Sequence, residues 1–116
     1  MSPSTVVFTT SYQELTDLRL SLPCGRYLIF GTFWLWSNNN GPILYVQLRV
    51  NGVPQNGLAQ CEIGRGDYLT HNGTFAQNWL VESNSDIDLR VYVKKDTSTG
   101  FCFIAGECSK LIVVKI

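Results

Sequence analysis

Residues that could carry acid–base or nucleophilic chemistry are few in this sequence. His71 is the only histidine, and it stands in the segment THNGT, whose Asn-Gly pair is typical of a turn. A Cys–His or Ser–His nucleophile would have to be built around this loop residue, and the sequence contains no nucleophile-elbow motif. We therefore expect no enzymatic activity.

Metal ligands are also sparse. The chain has four cysteines, which are Cys24, Cys61, Cys102 and Cys108. They form no CxxC pair, and three of them lie in or beside apolar runs, where a free thiol commonly packs as a small hydrophobe. We expect reduced thiols, although an even number of cysteines also permits disulfides. The acidic residues Glu82, Asp86 and Asp88 alternate as on a solvated strand face, so we predict no metal and no cofactor.

Aromatic residues beside amides indicate a second kind of site, one for carbohydrate. Trp36 precedes three asparagines, Asn38, Asn39 and Asn40. An indole ring can stack on a sugar ring while neighbouring amides bind its hydroxyl groups. The same pattern also occurs where an apolar strand ends in a polar loop. Contact with a host glycan at these residues is therefore an alternative interpretation.

The segment Arg65-Gly66-Asp67 spells the tripeptide that integrin ligands use. Turn chemistry alone explains a glycine and an aspartate here, and matches of this length occur often by chance. A secreted ligand of the complement or cytokine type is thus the weakest of the functional interpretations.

Length and composition predict one domain, residues 1–116, with a single core. The chain is 45% hydrophobic and 16% charged, with a formal net charge of zero, so we expect neither nucleic acid nor a membrane as a partner. No window approaches the roughly 18 apolar residues of a membrane span, and the N-terminus lacks the pattern of a signal peptide. We expect the chain to stay in the cytoplasm in which it is made.

Alternation of apolar and polar residues is the dominant pattern, and it predicts an all-β chain. In 87–93 the residues Ile87, Leu89, Val91 and Val93 face one way and polar residues face the other. The segment 43–50 alternates similarly, and Asn51-Gly52 after it is a strong hairpin signal. With the shorter segments included, we predict an antiparallel β-sandwich of about eight strands.

Two segments have apolar residues on both faces. In 26–36 one face would present Tyr27, Ile29, Gly31, Phe33 and Leu35, and the other Leu28, Phe30, Trp34 and Trp36. The closing segment 111–116 is apolar on both faces as well. A sandwich has one inner face, so either a loop or another copy of the chain must cover the second.

We favour a homo-oligomer because both segments occur in one small domain. The predicted interface comprises Tyr27, Phe30, Phe33, Trp34, Trp36, Ile112, Val114 and Ile116. Because both sides of this strand are apolar, the alternation of its residues does not decide whether Phe33 or Trp34 faces the core.

Three segments together resemble a known family. They are TSYQELTDLRLSLPCGRYLIFGTFWL, LYVQLRVNGVPQNG and LRVYVKKDTSTGFCFIAGECSKLIVVKI. Their order resembles the tumour necrosis factor and complement globular-head type of trimeric jelly roll, as it occurs in bacteriophage virion proteins. The matching residues are Ser11, Tyr12, Leu15, Leu18, Leu20, Leu22, Pro23, Gly25, Tyr27, Leu48, Val50, Gly52 and the closing segment 111–116. Cys24 before the glycine and the very aromatic FWLWSNNN depart from the common pattern.

The resemblance implies a homotrimer with an aromatic central seam, located in the virion and assembled in the host cytoplasm. It contains no catalytic motif. A capsid decoration (cement) protein that binds the major capsid protein is favoured, because the short chain begins at Met1 and has no stalk-forming repeats. The alternative is the receptor-binding head of a tail fibre or spike that contacts host glycan.

Overall fold

The alternating pattern is realised as extended strands over most of the described chain. The computed structural model describes residues 5–7, 9–37, 43–55, 59–62, 71–95 and 102–116. Its strands are β1 Thr5–Val7, β2 Gln13–Glu14, β3 Leu20–Leu22, β4 Gly25–Ser37, β5 Ile43–Val50, β6 Val53–Pro54, β7 Ala59–Glu62, β8 His71–Ser83, β9 Ile87–Lys95 and β10 Cys102–Lys115, with a turn of 3-10 helix at Thr16–Leu18. The prediction of an all-β chain is confirmed.

The strands form two antiparallel sheets. Sheet 1 has the order β1-β10-β4-β8. In sheet 2 the central strands are β9 and β5; β2 and β3 pair with the far edge of β9, and β6 and β7 pair with the far edge of β5. This arrangement is compatible with the predicted β-sandwich.

Buried side chains of both sheets form one hydrophobic cluster. Sheet 1 contributes Tyr27, Ile29, Phe33, Trp79 and Val81, and sheet 2 contributes Leu44, Val46, Leu48, Val50, Ile87, Leu89, Val91 and Val93. Every second residue of β9 is buried, as the alternation of that strand predicts. Burial of each large apolar side chain stabilises the fold by about 1.5–3 kcal/mol.

Gly31 makes room for two aromatic rings on the inner face of β4. A Cβ atom at this position would lie 2.7 Å from Cζ of Phe33 and 3.0 Å from Cζ3 of Trp79. Both distances are shorter than ordinary carbon–carbon contacts of about 3.5–4.0 Å. The absence of a side chain at residue 31 is therefore what allows Phe33 to be fully buried.

The Asn51-Gly52 turn joins β5 to β6 as predicted. Both residues have positive φ, 51° and 83°, which a tight hairpin turn of this kind requires. The Asn51 side chain also ties the turn to β9: its Oδ1 accepts from the Asp88 amide at 2.8 Å, and its Nδ2 donates to the Asp86 carbonyl at 3.2 Å. An asparagine therefore suits this position both in its backbone and in its side chain.

The pairing of β10 with β4 is interrupted by a bulge. Ala105 pairs with Trp34 and Lys110 with Thr32, so β10 has extra residues between the two pairs. The buried hydroxyl of Ser109 accepts a hydrogen bond from the Trp34 amide at 3.1 Å. A side chain thus replaces a backbone carbonyl of the ladder at this point.

Candidate assembly interface

Sheet 1 exposes a continuous apolar surface on the side away from the core. We call this surface the outer apolar face and define it by Leu28, Phe30, Leu80, Ile112 and Val114. Val114, Leu28 and Leu80 lie side by side across three strands, and the next row contains Ile112 and Phe30. Leu80 is 56% exposed, Ile112 49% and Val114 43%. Large apolar side chains that adjoin in this way mark an interaction surface more often than singly exposed ones do.

Polar residues border the outer apolar face at several points on the described part of sheet 1. At one end the guanidinium of Arg26 and the carboxylate of Glu82 form an ion pair at 2.8 Å. Asn78 lies beside Phe30, and Lys110 lies beside Thr32 in the following row. An apolar centre with a polar rim is the common composition of a protein–protein interface.

Two residues of the predicted interface lie in the core instead. Tyr27 is 4% exposed and Phe33 is 0% exposed, because the odd-numbered residues of β4 point between the sheets. The hydroxyl of Tyr27 donates to the Pro23 carbonyl at 2.9 Å, which satisfies its polar atom at the edge of the core. The prediction of these two residues as contacts between subunits is therefore wrong.

The other residues of the predicted interface lie on the outer side of sheet 1, except for one whose side chain is not described. Phe30 and Trp34 are half-buried on the outer parity of β4, and Ile112, Val114 and Ile116 are exposed. Trp36 lies within β4, but its side chain is outside the described part of the structure, as are Asn38, Asn39 and Asn40. The predicted glycan contact therefore lies outside the described residues.

Sheet 2 has an outer surface of a different kind, which we call the cation–aromatic face: Tyr12, Tyr45, Arg49, Tyr92 and Lys94. The guanidinium carbon of Arg49 lies 3.8 Å from the centroid of the Tyr92 ring and 5.5 Å from that of Tyr12. The ammonium of Lys94 lies 4.9 Å from the centroid of Tyr12 and 5.2 Å from that of Tyr45. These are the distances of cation–π contacts.

Next to the cation–aromatic face is a chain of ion pairs. Glu14 accepts hydrogen bonds from Nε and Nη2 of Arg19, the second at 2.9 Å, and it lies 3.4 Å from Nη1 of Arg90. Arg90 in turn pairs with Asp88 at 3.2 Å. The hydrogen bonds from Arg19 lower the pKa of Glu14 below its ordinary value, although partial burial opposes this.

The cation–aromatic face was not predicted from the sequence. In the sequence, the residues of this face stand at the solvent-facing positions of two alternating strands. These positions carry Tyr45 and Arg49 in 43–50, and Tyr92 and Lys94 in 87–94. Only the register of the strands, in which Gln47 lies opposite Tyr92 and Tyr45 opposite Lys94, brings these residues together. Tyr12 joins them because β2 pairs with the other edge of β9.

The described part of the chain was also compared with the requirements of a metal site and of a membrane span. Within the described ranges, no group of three or more His, Cys, Asp or Glu side chains could hold a metal ion. No helix in those ranges has the length and apolar character that crossing a membrane requires. Cys24 is a free, exposed thiol.

Comparison with known proteins gives no relative: no protein family, curated protein or solved structure matches this chain. The interpretation of its surfaces therefore depends on their own geometry and on the residue pattern of the chain.

Proposed function

We propose that this chain forms a homotrimer of jelly-roll subunits through the outer apolar face of sheet 1. The observation that carries the proposal is the exposure of Leu80, Ile112 and Val114 in adjoining rows of one sheet. Removal of such side chains from water contributes about 25 cal/mol per Å² of apolar area. The same surface repeated in each subunit supplies apolar cover that the isolated chain lacks.

The order of the strands supports the jelly-roll part of the proposal. The pairs β1–β10, β3–β9, β4–β8 and β5–β7 are nested, with each pair enclosed by the one before it along the chain. Such nesting arises when one long antiparallel hairpin rolls up so that its strands are divided between two sheets. Jelly rolls have this double Greek-key connectivity.

A trimer is proposed rather than a dimer because of the residue pattern. An apolar sheet face by itself is equally compatible with two-fold and three-fold assembly. The resemblance to trimeric globular heads, carried by segments such as SYQELTDLRLSLPCGRY and KLIVVKI, favours three copies. Light scattering after size exclusion should therefore give three times the chain mass of 13.0 kDa. A monomer at micromolar concentration contradicts the proposal.

The proposed role of the trimer is that of a capsid decoration protein of a bacteriophage. It binds the lattice of the major capsid protein and stabilises the head, and three copies of each contact allow individually weak contacts to add up. The resemblance to phage virion proteins supports this role. A coding region beside the gene of a major capsid protein would agree with it, whereas a position among tail-fibre genes would favour the receptor-binding head.

A direct test uses heads of the encoding phage assembled without this protein. Purified trimer is added, and the heads are sedimented and then heated. Co-sedimentation together with release of DNA at a higher temperature is the expected result. Trimer that leaves the heads unbound but binds defined oligosaccharides on a glycan array would replace this role with that of a fibre or spike head.

A further inference from the structure

The outer surface of sheet 2 has two parts that differ in how their charges are compensated. Arg19 and Arg90 have carboxylate partners, Glu14 and Asp88. The other two cations, Arg49 and Lys94, contact aromatic rings. Over the described ranges, neither of them has a carboxylate within ion-pair distance. The surface therefore carries two cations that no carboxylate of the described ranges compensates.

Both uncompensated cations approach the same ring. Arg49 and Lys94 each lie within 5.5 Å of the centroid of Tyr12, so their charges are held near each other. Two like charges repel, and the energy of this repulsion grows as water is excluded. An anion placed beside Tyr12 would interact with both cations and remove that repulsion.

The donors that remain at this place suit a carboxylate. Nε of Arg49 is occupied, since it donates to Oε1 of Gln47 at 2.7 Å. The terminal nitrogens of the guanidinium and the ammonium of Lys94 remain as charged donors that carboxylate oxygens accept in short hydrogen bonds. Glu14, which lies opposite Tyr92, and Asp88 on the same surface would repel a continuous polyanion such as nucleic acid, whereas a partner with one or two carboxylates can avoid them.

We propose that the cation–aromatic face docks an acidic segment of a partner protein, with its carboxylates between Arg49 and Lys94. The choice of a protein as partner rests on the proposed function: a trimer joined through sheet 1 leaves sheet 2 on its outer surface, where a capsid protein can reach it. Charge complementarity determines the chemistry of the segment, and the tyrosine rings provide a flat surface for its backbone and side-chain stems.

The test is calorimetric titration of the intact protein with a short polyglutamate peptide at low ionic strength. Saturable binding that weakens as salt is added is expected, with no binding of a polyglutamine peptide of equal length. The double variant Arg49→Gln/Lys94→Gln should bind polyglutamate at least about tenfold more weakly than the wild type does. The matched control Lys110→Gln/Lys115→Gln removes the same charge from exposed residues of sheet 1, and it should bind like the wild type.

Circular dichroism must first show that both double variants fold, and several results would then contradict the proposal. Equal binding by the two double variants, or equal binding of polyglutamine, overturns the docking site. Binding of an acidic oligosaccharide such as oligogalacturonate, without binding of polyglutamate, overturns the choice of a protein segment. A trimer without polyglutamate binding refutes this inference alone, whereas a monomer with it refutes the proposed trimer and leaves the docking site.

Discussion

The two sheets have similar inner faces and opposite outer faces. On the inside, both present apolar residues to one shared cluster, with the aromatic rings coming from sheet 1 and only Val, Leu and Ile from sheet 2. On the outside, sheet 1 presents Leu80, Ile112 and Val114 to solvent, whereas sheet 2 presents Arg49 and Lys94 on tyrosine rings. The inner residues therefore hold the two sheets together, whereas the outer residues give each sheet the different surface that it presents to solvent.

The outer faces also differ in how completely they are satisfied within one chain. On sheet 2 the cations Arg19 and Arg90 contact carboxylates and the cations Arg49 and Lys94 contact aromatic rings, and each exposed cation–π contact contributes about 0.5–1 kcal/mol. On sheet 1 the apolar side chains gain little from each other while water covers them. Sheet 2 is therefore stable as a solvated surface, and sheet 1 has more to gain from assembly.

The largest expected effect distinguishes the inner from the outer parity of β4. Phe33→Glu places an unpaired charge in the core and should destabilise the subunit by on the order of 4 kcal/mol or more, so that it fails to fold. Thermal unfolding followed by circular dichroism measures this. A folded, dissociated Phe33→Glu variant would show that residue 33 faces a neighbouring subunit after all.

The next effect concerns assembly alone. Ile112→Glu puts a charge on the outer apolar face, so the proposed trimer should dissociate while the fold of each subunit remains. Light scattering should report a monomer, and circular dichroism should report unchanged strand content. Lys110→Glu, at the rim of the same strand, is the control and should remain a trimer.

A smaller effect is expected at Gly31. Gly31→Ala introduces a methyl group against Phe33 and Trp79 and should cost about 1–3 kcal/mol of stability, without loss of the trimer. Denaturant unfolding measures the change. Thr32→Ala, the outward-facing neighbour, should cost clearly less, and equal losses for the two variants would contradict the tight packing at residue 31.

The smallest effect belongs to the ion pairs of sheet 2. Because the pKa of Glu14 is lowered by Arg19, the folded state binds the proton less well than the unfolded state does. The ion pairing of Glu14 therefore stabilises the fold at pH values above 4.5, the ordinary pKa of a glutamate. This stabilisation is lost as the pH falls through the lower pKa of Glu14 in the folded state. The melting temperature should fall by a few degrees over this range, and Glu14→Gln should abolish that part of the fall. An unchanged acid profile in Glu14→Gln would show that the pairing has no net effect.

How much of the fold and of the interface could be predicted from the sequence depends on whether a strand has one polar face. The strands 43–50 and 87–95 have one polar face, so their inward residues were identifiable, and so was the Asn51-Gly52 hairpin. In β4 both parities are apolar, and the assignment of Tyr27 and Phe33 to the interface was wrong because nothing local distinguishes them from Phe30 and Trp34. The distinction comes from sheet 2, which covers one face of β4.

Proximity of residues distant in sequence accounts for what was missed. Tyr12, Arg49 and Lys94 form one surface only because β2, β9 and β5 adjoin in a particular register. Similarly, the reason for a glycine at position 31 lies in the rings of Phe33 and Trp79, and the second of these comes from β8. These relations depend on tertiary packing, which periodicity along one strand does not contain.

The pairing of β1 with β10 also has a consequence for how the molecule forms. Thr5 lies opposite Ala105, so sheet 1 cannot be completed until strands from distant parts of the chain meet. Closure of so long a loop is entropically costly, and folds dominated by such pairings reach the native state slowly. During that interval the apolar residues of β4 and β10 lack both their inner and outer cover. Newly made chains therefore pass through a period in which aggregation competes with folding, and faster completion of sheet 1 would raise the yield of the folded protein.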